Sequence, residues 1–393
     1  MEIFIFLIPV ITVSVLVLKF RKETAYWEYL LVVIPSLLLF LITKQVMIYT
    51  NSCDTEYLGD LVDNITYYED WDETVMVTHT RRVPCGTDSK GHIKYTTQTY
   101  TVPERRYHPE RYEYKTITGN TTSVNRKEFK VIISKLNVSP VFKEMHRKYR
   151  SKDGDAYVYI WNRTRENSYP ITTTHFYINK VKASSYSIFK YSDMSDKEIK
   201  DAGLYEYPDI QIYDQRPILG YTATYEEEHA VRYLNGYRGP KNQFRMYILC
   251  FDNPSLEVAE KQKAYWQGGN KNELVVCLGV KGDSVMWSNP FSWCDEPWIE
   301  TKIRDYFIKN PHINFKEFAE FVDVNIDTNW KRKSFDDFDY ISISCTTGEY
   351  IVILIIIFLY NIGISYWVIT NEYNERNPKG KTNNKYIKLS SIK

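Results

Sequence analysis

Three stretches of this chain are predominantly apolar, with no polar period: Ile3 to Leu18, Tyr29 to Tyr49 with Lys44 near its far end, and Tyr350 to Ile369. A bilayer core takes about 20 apolar residues, or about 17 at the short limit. The second and third stretches meet that length, and the first falls at its margin. Met1-Glu2 supplies no basic n-region and no small-residue cleavage site follows Val17. The first stretch is therefore expected to stay as an anchor, not to be cleaved as a signal peptide. Between the second and third stretches the pattern changes to short alternations and amphipathic runs.

Alternation predicts strands at Thr74 to Thr80, Ile93 to Thr97 and Tyr112 to Thr118. Turn residues separate them, notably Pro84-Cys85-Gly86 and Gly119-Asn120. Further strands fit Ala156 to Trp161 and His175 to Val181. A helix is expected from Asn125 to Leu136, with Phe129, Ile132, Ile133 and Leu136 on one face. Ser195 and Glu198 have the spacing of a capping box, which opens a short helix ending at Gly203. Another helix fits Tyr225 to Leu234. Farther on, Phe244 to Phe251 and Leu274 to Val280 are nearly continuous in apolar residues, as strands buried on both faces must be. Leu256 to Trp266 between them reads as a helix stopped by Gly268-Gly269. Strand, helix and strand in that length predict a βαβ unit with parallel strands. Helices follow at Trp298 to Ile308 and Asn314 to Val322, and a last strand is expected at Phe338 to Ser344.

Charge then orients the anchors. Lys19, Arg21 and Lys22 lie between the first two stretches, and Arg376, Lys379, Lys381, Lys385, Lys388 and Lys393 follow the third. Asp54 to Glu73 contains no Lys or Arg. The excess of basic residues in cytoplasmic loops predicts N-terminus out, loop in, main domain out and tail in. The expected fold class is α+β: three transmembrane helices anchoring one large extracytoplasmic domain with a βαβ core and a β-rich N-terminal half. The expected boundaries are 1–49 for two helices with a short cytoplasmic loop and 50–240 for the β-rich region. Residues 241–345 form the α/β region, 346–370 the last helix and 371–393 the basic cytoplasmic tail.

Composition adds less. The net charge of +1 over 393 residues gives no case for a nucleic-acid partner. The 34 Tyr match the bias of an AT-rich genome as well as they match any function. All six Cys lie in the expected outer domain, where an oxidising compartment allows disulfides. Cys53 and Cys345 each border an anchor and are the first pair to test. Cys250 and Cys277 are read as buried strand residues.

No GxSxG, HExxH, Walker loop or helix-opening GxGxxG is present, and no Cys/His spacing suggests a metal. Two local clusters are candidate ligand sites. In the first, Gly268 and Gly269 turn the chain before Asn270, Lys271, Asn272 and Glu273, while Asp252 and Asn253 follow the first buried strand. A parallel unit would put Asp252 at the opposite end from the glycine loop, and the glycines read equally as a helix C-cap with a solvated loop behind. In the second, Trp293 and Asp295 sit in a Trp-rich stretch that suits a sugar-like or peptide groove. Asp295 reads equally as the cap of the following helix, with Pro297 in its first turn and Trp298 in the core.

Asp54 to Asp60, Tyr67 to Trp71, Trp266 to Glu273 and Phe291-Ser-Trp-Cys294 resemble membrane-anchored proteins of tailed phages and prophages of gut bacteria. That resemblance carries no activity with it. Phe244 to Val280 looks like the TPM domain, an extracytoplasmic α/β domain linked to phosphatase activity and membrane-complex maintenance. Two functions stay open. One is a non-enzymatic module at the bacterial envelope, anchored in the lipid bilayer and meeting an envelope protein; the missing catalytic templates favour it. The other, implied by the second resemblance, is a TPM-like envelope hydrolase using Asp252 and the Gly268 to Glu273 loop. Neither reading names a cofactor.

Overall fold

The computed structural model describes residues 2–20, 24–87, 89–136, 138–144, 153–184, 187, 191, 193–210 and 216–371. Arg21 and Lys22 of the inner loop and the basic tail lie outside the described residues. The chain begins with helices α1 (Glu2–Lys19) and α2 (Tyr26–Ser52). Strands β1 (Cys53–Tyr68), β2 (Trp71–Thr87), β3 (Ile93–His108), β4 (Arg111–Thr116) and β5 (Thr121–Val124) follow. Next come α3 (Arg126–Leu136), β6 (Pro140–Lys143), β7 (Ala156–Ile160), β8 (Pro170–Ile178), α4 (Lys180–Ala183) and α5 (Asp196–Ala202). Then β9 (Ile218–Leu219), α6 (Tyr225–Asn242), β10 (Arg245–Phe251), α7 (Glu257–Tyr265), β11 (Glu273–Lys281) and β12 (Ser284–Ser292). Helices α8 (Trp298–Lys309), α9 (Phe315–Asn329) and α10 (Thr347–Asn371) complete it.

Two compact units result: residues 1–55, 176–192 and 334–393 form one, and 56–175 with 193–333 the other. In the first, α1, α2 and α10 contain 18, 27 and 25 residues. At 1.5 Å per residue they are about 27, 40 and 37 Å long, against a hydrocarbon core of about 30 Å. All three are long and apolar enough to cross a membrane. Ile5, Phe40, Ile353 and Ile357 bury between them. Asn361 donates to Ser36 Oγ at 2.9 Å, and Lys44 and Tyr350 both reach the Glu2 carboxylate, at 2.6 and 2.9 Å.

Both anchor-flanking cysteines are free thiols, which corrects the expected bridge. Helix α2 continues to Ser52, whereas Cys345 Sγ lies 4.0 Å from the carbonyl of Lys44. Nine residues of helix separate Lys44 from Cys53, a rise of about 13 Å, twice what a disulfide spans between Cα atoms. The strand expected at Phe338 to Ser344 is also absent. A 3₁₀ turn covers Phe335–Phe338, and the segment after it is irregular. Phe335 and Phe338 both bury, at the three-residue spacing of that turn and not the two-residue spacing of a strand.

The second unit has an α/β layer and a β-rich layer. Its four-stranded sheet runs β12-β11-β10-β9. β9, β10 and β11 are parallel, with Arg245 opposite Glu273 and Phe251 opposite Gly279, and β12 returns antiparallel. The βαβ unit expected from the apolar runs is therefore present, with α7 as its crossover. Period two sorts the side chains between the faces. Phe244, Met246, Ile248, Cys250, Val276 and Leu278 pack under α6, α8 and α9. Tyr247, Leu249, Phe251, Val275 and Cys277 pack under α5 and α7. Cys250 and Cys277 are fully buried, and burial pushes the Cys250 thiol up to about 12.

The β-rich layer is a sheet of order β5-β4-β1-β7-β6, with β8 also on β1. Its central strand went unread in the sequence because acidic residues interrupt the alternation. Two of them are buried with partners: Glu56 meets Arg332, and Asp60 accepts from the Thr118 hydroxyl. Gly59 of β1 crosses α6 at Gly236 and Gly239. A Cβ on Gly239 would lie 2.2 Å from the Gly59 carbonyl oxygen. Only glycine on both backbones permits that approach.

Candidate functional site

Parallel pairing divides the first candidate cluster. Asp252 and Asn253 follow the C-terminal end of β10, while Asn270, Lys271 and Glu273 sit at the N-terminal end of β11. Six residues of strand lie between these ends, about 20 Å. Asp252 is exposed. Asn253 is used locally: its Oδ1 accepts from the Ser255 amide at 2.8 Å and its carbonyl from Trp287 Nε1 at 2.9 Å. The glycines form a helix C-cap. Gln267, Gly268 and Gly269 all have positive φ, and the Gly268 amide reaches back to the Lys263 carbonyl at 2.8 Å.

At the other end Glu273 turns inward, where sequence reasoning had it facing a ligand. It accepts from the Asn270 amide at 2.9 Å, from Asn270 Nδ2 at 3.0 Å and from the Tyr207 hydroxyl. Arg245, on the paired residue of β10, donates to the Tyr247 hydroxyl at 2.8 Å and to Thr172 Oγ1 at 3.2 Å. Asn272 Nδ2 bonds the Tyr57 carbonyl at 2.7 Å. Both charged side chains are wholly buried, and burial raises the Glu273 carboxyl above its usual range. Thr172 and Tyr57 come from the β-rich layer, so the network ties the two layers of the unit together. Arg245, Tyr207, Tyr247 and Thr172 were missed. The available signal was one charged residue at the start of each apolar strand.

The second cluster departs further from expectation. Asp295 does not cap α8; it pairs with Lys333 at 2.9 Å. Trp298 is 62% exposed, not in the core. The cause is a second tie, because the Cys294–Asp295 segment bridges to residues 331–333. The Asp295 amide donates to the Lys331 carbonyl at 2.8 Å. Trp293 packs on the α7 cap, where a Cβ on Gly268 would lie 3.0 Å from its ring nitrogen. Trp293 and Asp295 thus complete the end of the sheet. Among the described residues no group of three His, Cys, Asp or Glu gathers as metal ligands.

A third sheet is the ribbon formed by β2 and β3. Among the described residues these strands pair only with each other, from Trp71 opposite His108 to Thr87 opposite Ile93. The ribbon is about 50 Å long. Beyond its root nearly every residue is exposed or half-exposed, on both faces. Met76, Tyr95 and Tyr107 are about 60% exposed (61, 60 and 61%). The root is fixed by Trp71, stacked on His108 at 4.6 Å, and by His108 on Glu73 at 2.9 Å. An isolated two-stranded ribbon is marginal in water. Tyr107, Met76 and Tyr95 fall on one face of the ribbon, and Tyr100 and Val102 on the other.

No family model, no curated protein and no solved structure matches this chain.

Proposed function

We propose that the chain is a membrane-anchored interaction module acting at a bacterial envelope, with the β2–β3 ribbon as its contact arm. Its three apolar helices hold it in the bilayer. The N-terminus and the ribbon-bearing unit lie outside the cytoplasm, and the tail lies within. The observation carrying this reading is the ribbon, a long element that buries only Trp71 at its root and displays Met76, Tyr95, Tyr100, Val102 and Tyr107 to solvent. The orientation is supported by basic residues in the inner loop and tail and by their absence from Asp54 to Glu73. Membership of a phage-encoded family fits both features and rests on the sequence resemblance alone.

Two experiments test this. Cys85 is exposed on the ribbon, so a membrane-impermeant maleimide should label it on intact cells and should spare a Lys385→Cys tail variant. Labelling of the tail with protection of Cys85 would reverse the orientation. A photoreactive residue at Met76, Tyr95 or Tyr107 should give discrete adducts in living cells. Val324 on α9 is more exposed still, at 78%, and serves as the control position. Ribbon positions that give no more adduct than Val324 would end the contact-arm reading.

A further inference from the structure

The two sheet edges of the α/β layer are guarded. β9 is two residues long. The free edge of β12 is closed near one end by the bridge from Ser284 to His312. Near the other end, Cys294 bridges to Arg332. Between them Pro290 has no N–H, and Arg304 reaches its carbonyl at 3.5 Å. Such devices stop a sheet from recruiting another strand. On the ribbon, β3 carries Pro103 near its middle, opposite Met76. β2 has no such guard between Trp71 and Val83, and its outer edge pairs with no strand among the described residues.

That open edge reads Asp72-Glu73-Thr74-Val75-Met76-Val77-Thr78-His79-Thr80-Arg81-Arg82. Asp72 and Arg82 stand equally far from Val77, and so do Glu73 and Arg81. Antiparallel pairing of this strand with a copy of itself about Val77 sets Asp72 opposite Arg82, Glu73 opposite Arg81 and Thr74 opposite Thr80. Two-fold symmetry makes every such contact twice. A shift of one or two residues in register loses at least one of the two charge matches. The charged groups already have partners within their own ribbon, Asp72 with Arg105, Glu73 with His108 and Arg81 with Gln98. Carboxylates and guanidinium groups have enough acceptor and donor sites to serve both neighbours.

We infer that the partner of the ribbon is a second copy of this chain, joined through β2 about Val77 into a four-stranded antiparallel sheet. The inference rests on the contact-arm reading and names its occupant. Pairing would satisfy the open backbone edge and cover Met76 and Val77. It would also extend a marginal two-stranded element to four strands.

Charge exchange tests it on the full chain in detergent, with mass read by sedimentation. The wild type should be dimeric, and less so as salt screens the pairs. Arg81→Glu/Arg82→Glu and Asp72→Lys/Glu73→Lys should each be monomeric, with the thermal unfolding of the α/β layer unchanged. Mixed in equal amounts, the two variants should recover the dimer, with affinity within about tenfold of wild type. In an otherwise native chain, Val77→Cys should form a linked dimer faster than Val102→Cys on β3. A monomeric wild type, dimeric charge variants, a mixture that stays monomeric, or equal linking at the two positions would each overturn self-pairing. If a monomeric wild type still gives ribbon adducts of a foreign mass, self-pairing alone has failed and the contact arm stands. If the ribbon gives no adducts above the control, the arm itself has failed.

Discussion

β10–β11 and β2–β3 are both regular ladders, yet they do opposite things. Every residue of β10 is buried, and in β11 only the terminal Lys281 is exposed. In β2 only Trp71 is buried, and in β3 no residue is. The first ladder is parallel and the second antiparallel, but the antiparallel pairing is slightly the more stable per residue, so backbone bonding does not explain why the parallel pair holds the fold. Burial does, because each large apolar side chain removed from water stabilises by about 1.5–3 kcal/mol, whereas an exposed cross-strand pair contributes about 0.2–1. The first ladder therefore holds the fold. The second leaves its side chains in water and adds little burial to the fold.

The comparison can be broken most directly in the core. Val276→Asp places a carboxylate without a partner on the sheet face covered by α6, α8 and α9, where Val276 is wholly buried. An uncompensated buried charge costs about 3–5 kcal/mol, a large part of a typical stability of about 5–15. The variant is expected to express without a cooperative unfolding transition, and a normal melt would refute the burial argument. Gly239→Val comes next. Its Cβ would overlap the Gly59 carbonyl oxygen, separating the β-rich layer from α6 at a cost of about 3 kcal/mol. Denaturant titration should show that loss, and an unchanged midpoint would mean that the two layers do not depend on this crossing.

A smaller effect follows pH. Burial holds the Glu273 carboxyl above its ordinary value of 4.5, so the folded chain keeps this proton after the unfolded chain has lost it. Stability contributed by the group is fully present below about 4.5 and falls as pH rises through the raised value. The slope is at most about 1.4 kcal/mol per pH unit. Glu273→Gln should remove this component, which urea titrations from about pH 4.5 to neutrality would show as a flatter profile. An identical slope in variant and wild type would place the titration elsewhere. The smallest change is expected on the ribbon. Thr97→Asp faces solvent opposite Arg82 and should leave the melt within about 0.5 kcal/mol of wild type. A loss comparable to Val276→Asp would show that the ribbon belongs to the core after all.

Much of the fold was legible because periodicity reports burial directly. The two apolar runs specified buried strands, their spacing specified a parallel crossover, and Ser195 and Glu198 specified the α5 cap that forms. Long, predominantly apolar stretches likewise specified three helices able to span a bilayer. Local pattern cannot say which residues from distant segments will meet. Glu56 and Asp60 counted in the sequence only as part of a stretch without basic residues, but Arg332 and Thr118 arrive to satisfy them inside the unit. Glu273 read as a loop ligand and became buried once Tyr207 and Asn270 surrounded it. Asp295 had the sequence of a cap and lost that role to Lys333, 38 residues away. Alternation marked the ribbon strands without showing that both their faces stay in water, since period two is the same whether or not another layer covers it. What the sequence determined by itself was the set of elements whose side-chain period fixes one buried face. Tertiary structure alone decided the fate of charged and neutral surface positions, because their energy depends on partners brought from elsewhere in the chain.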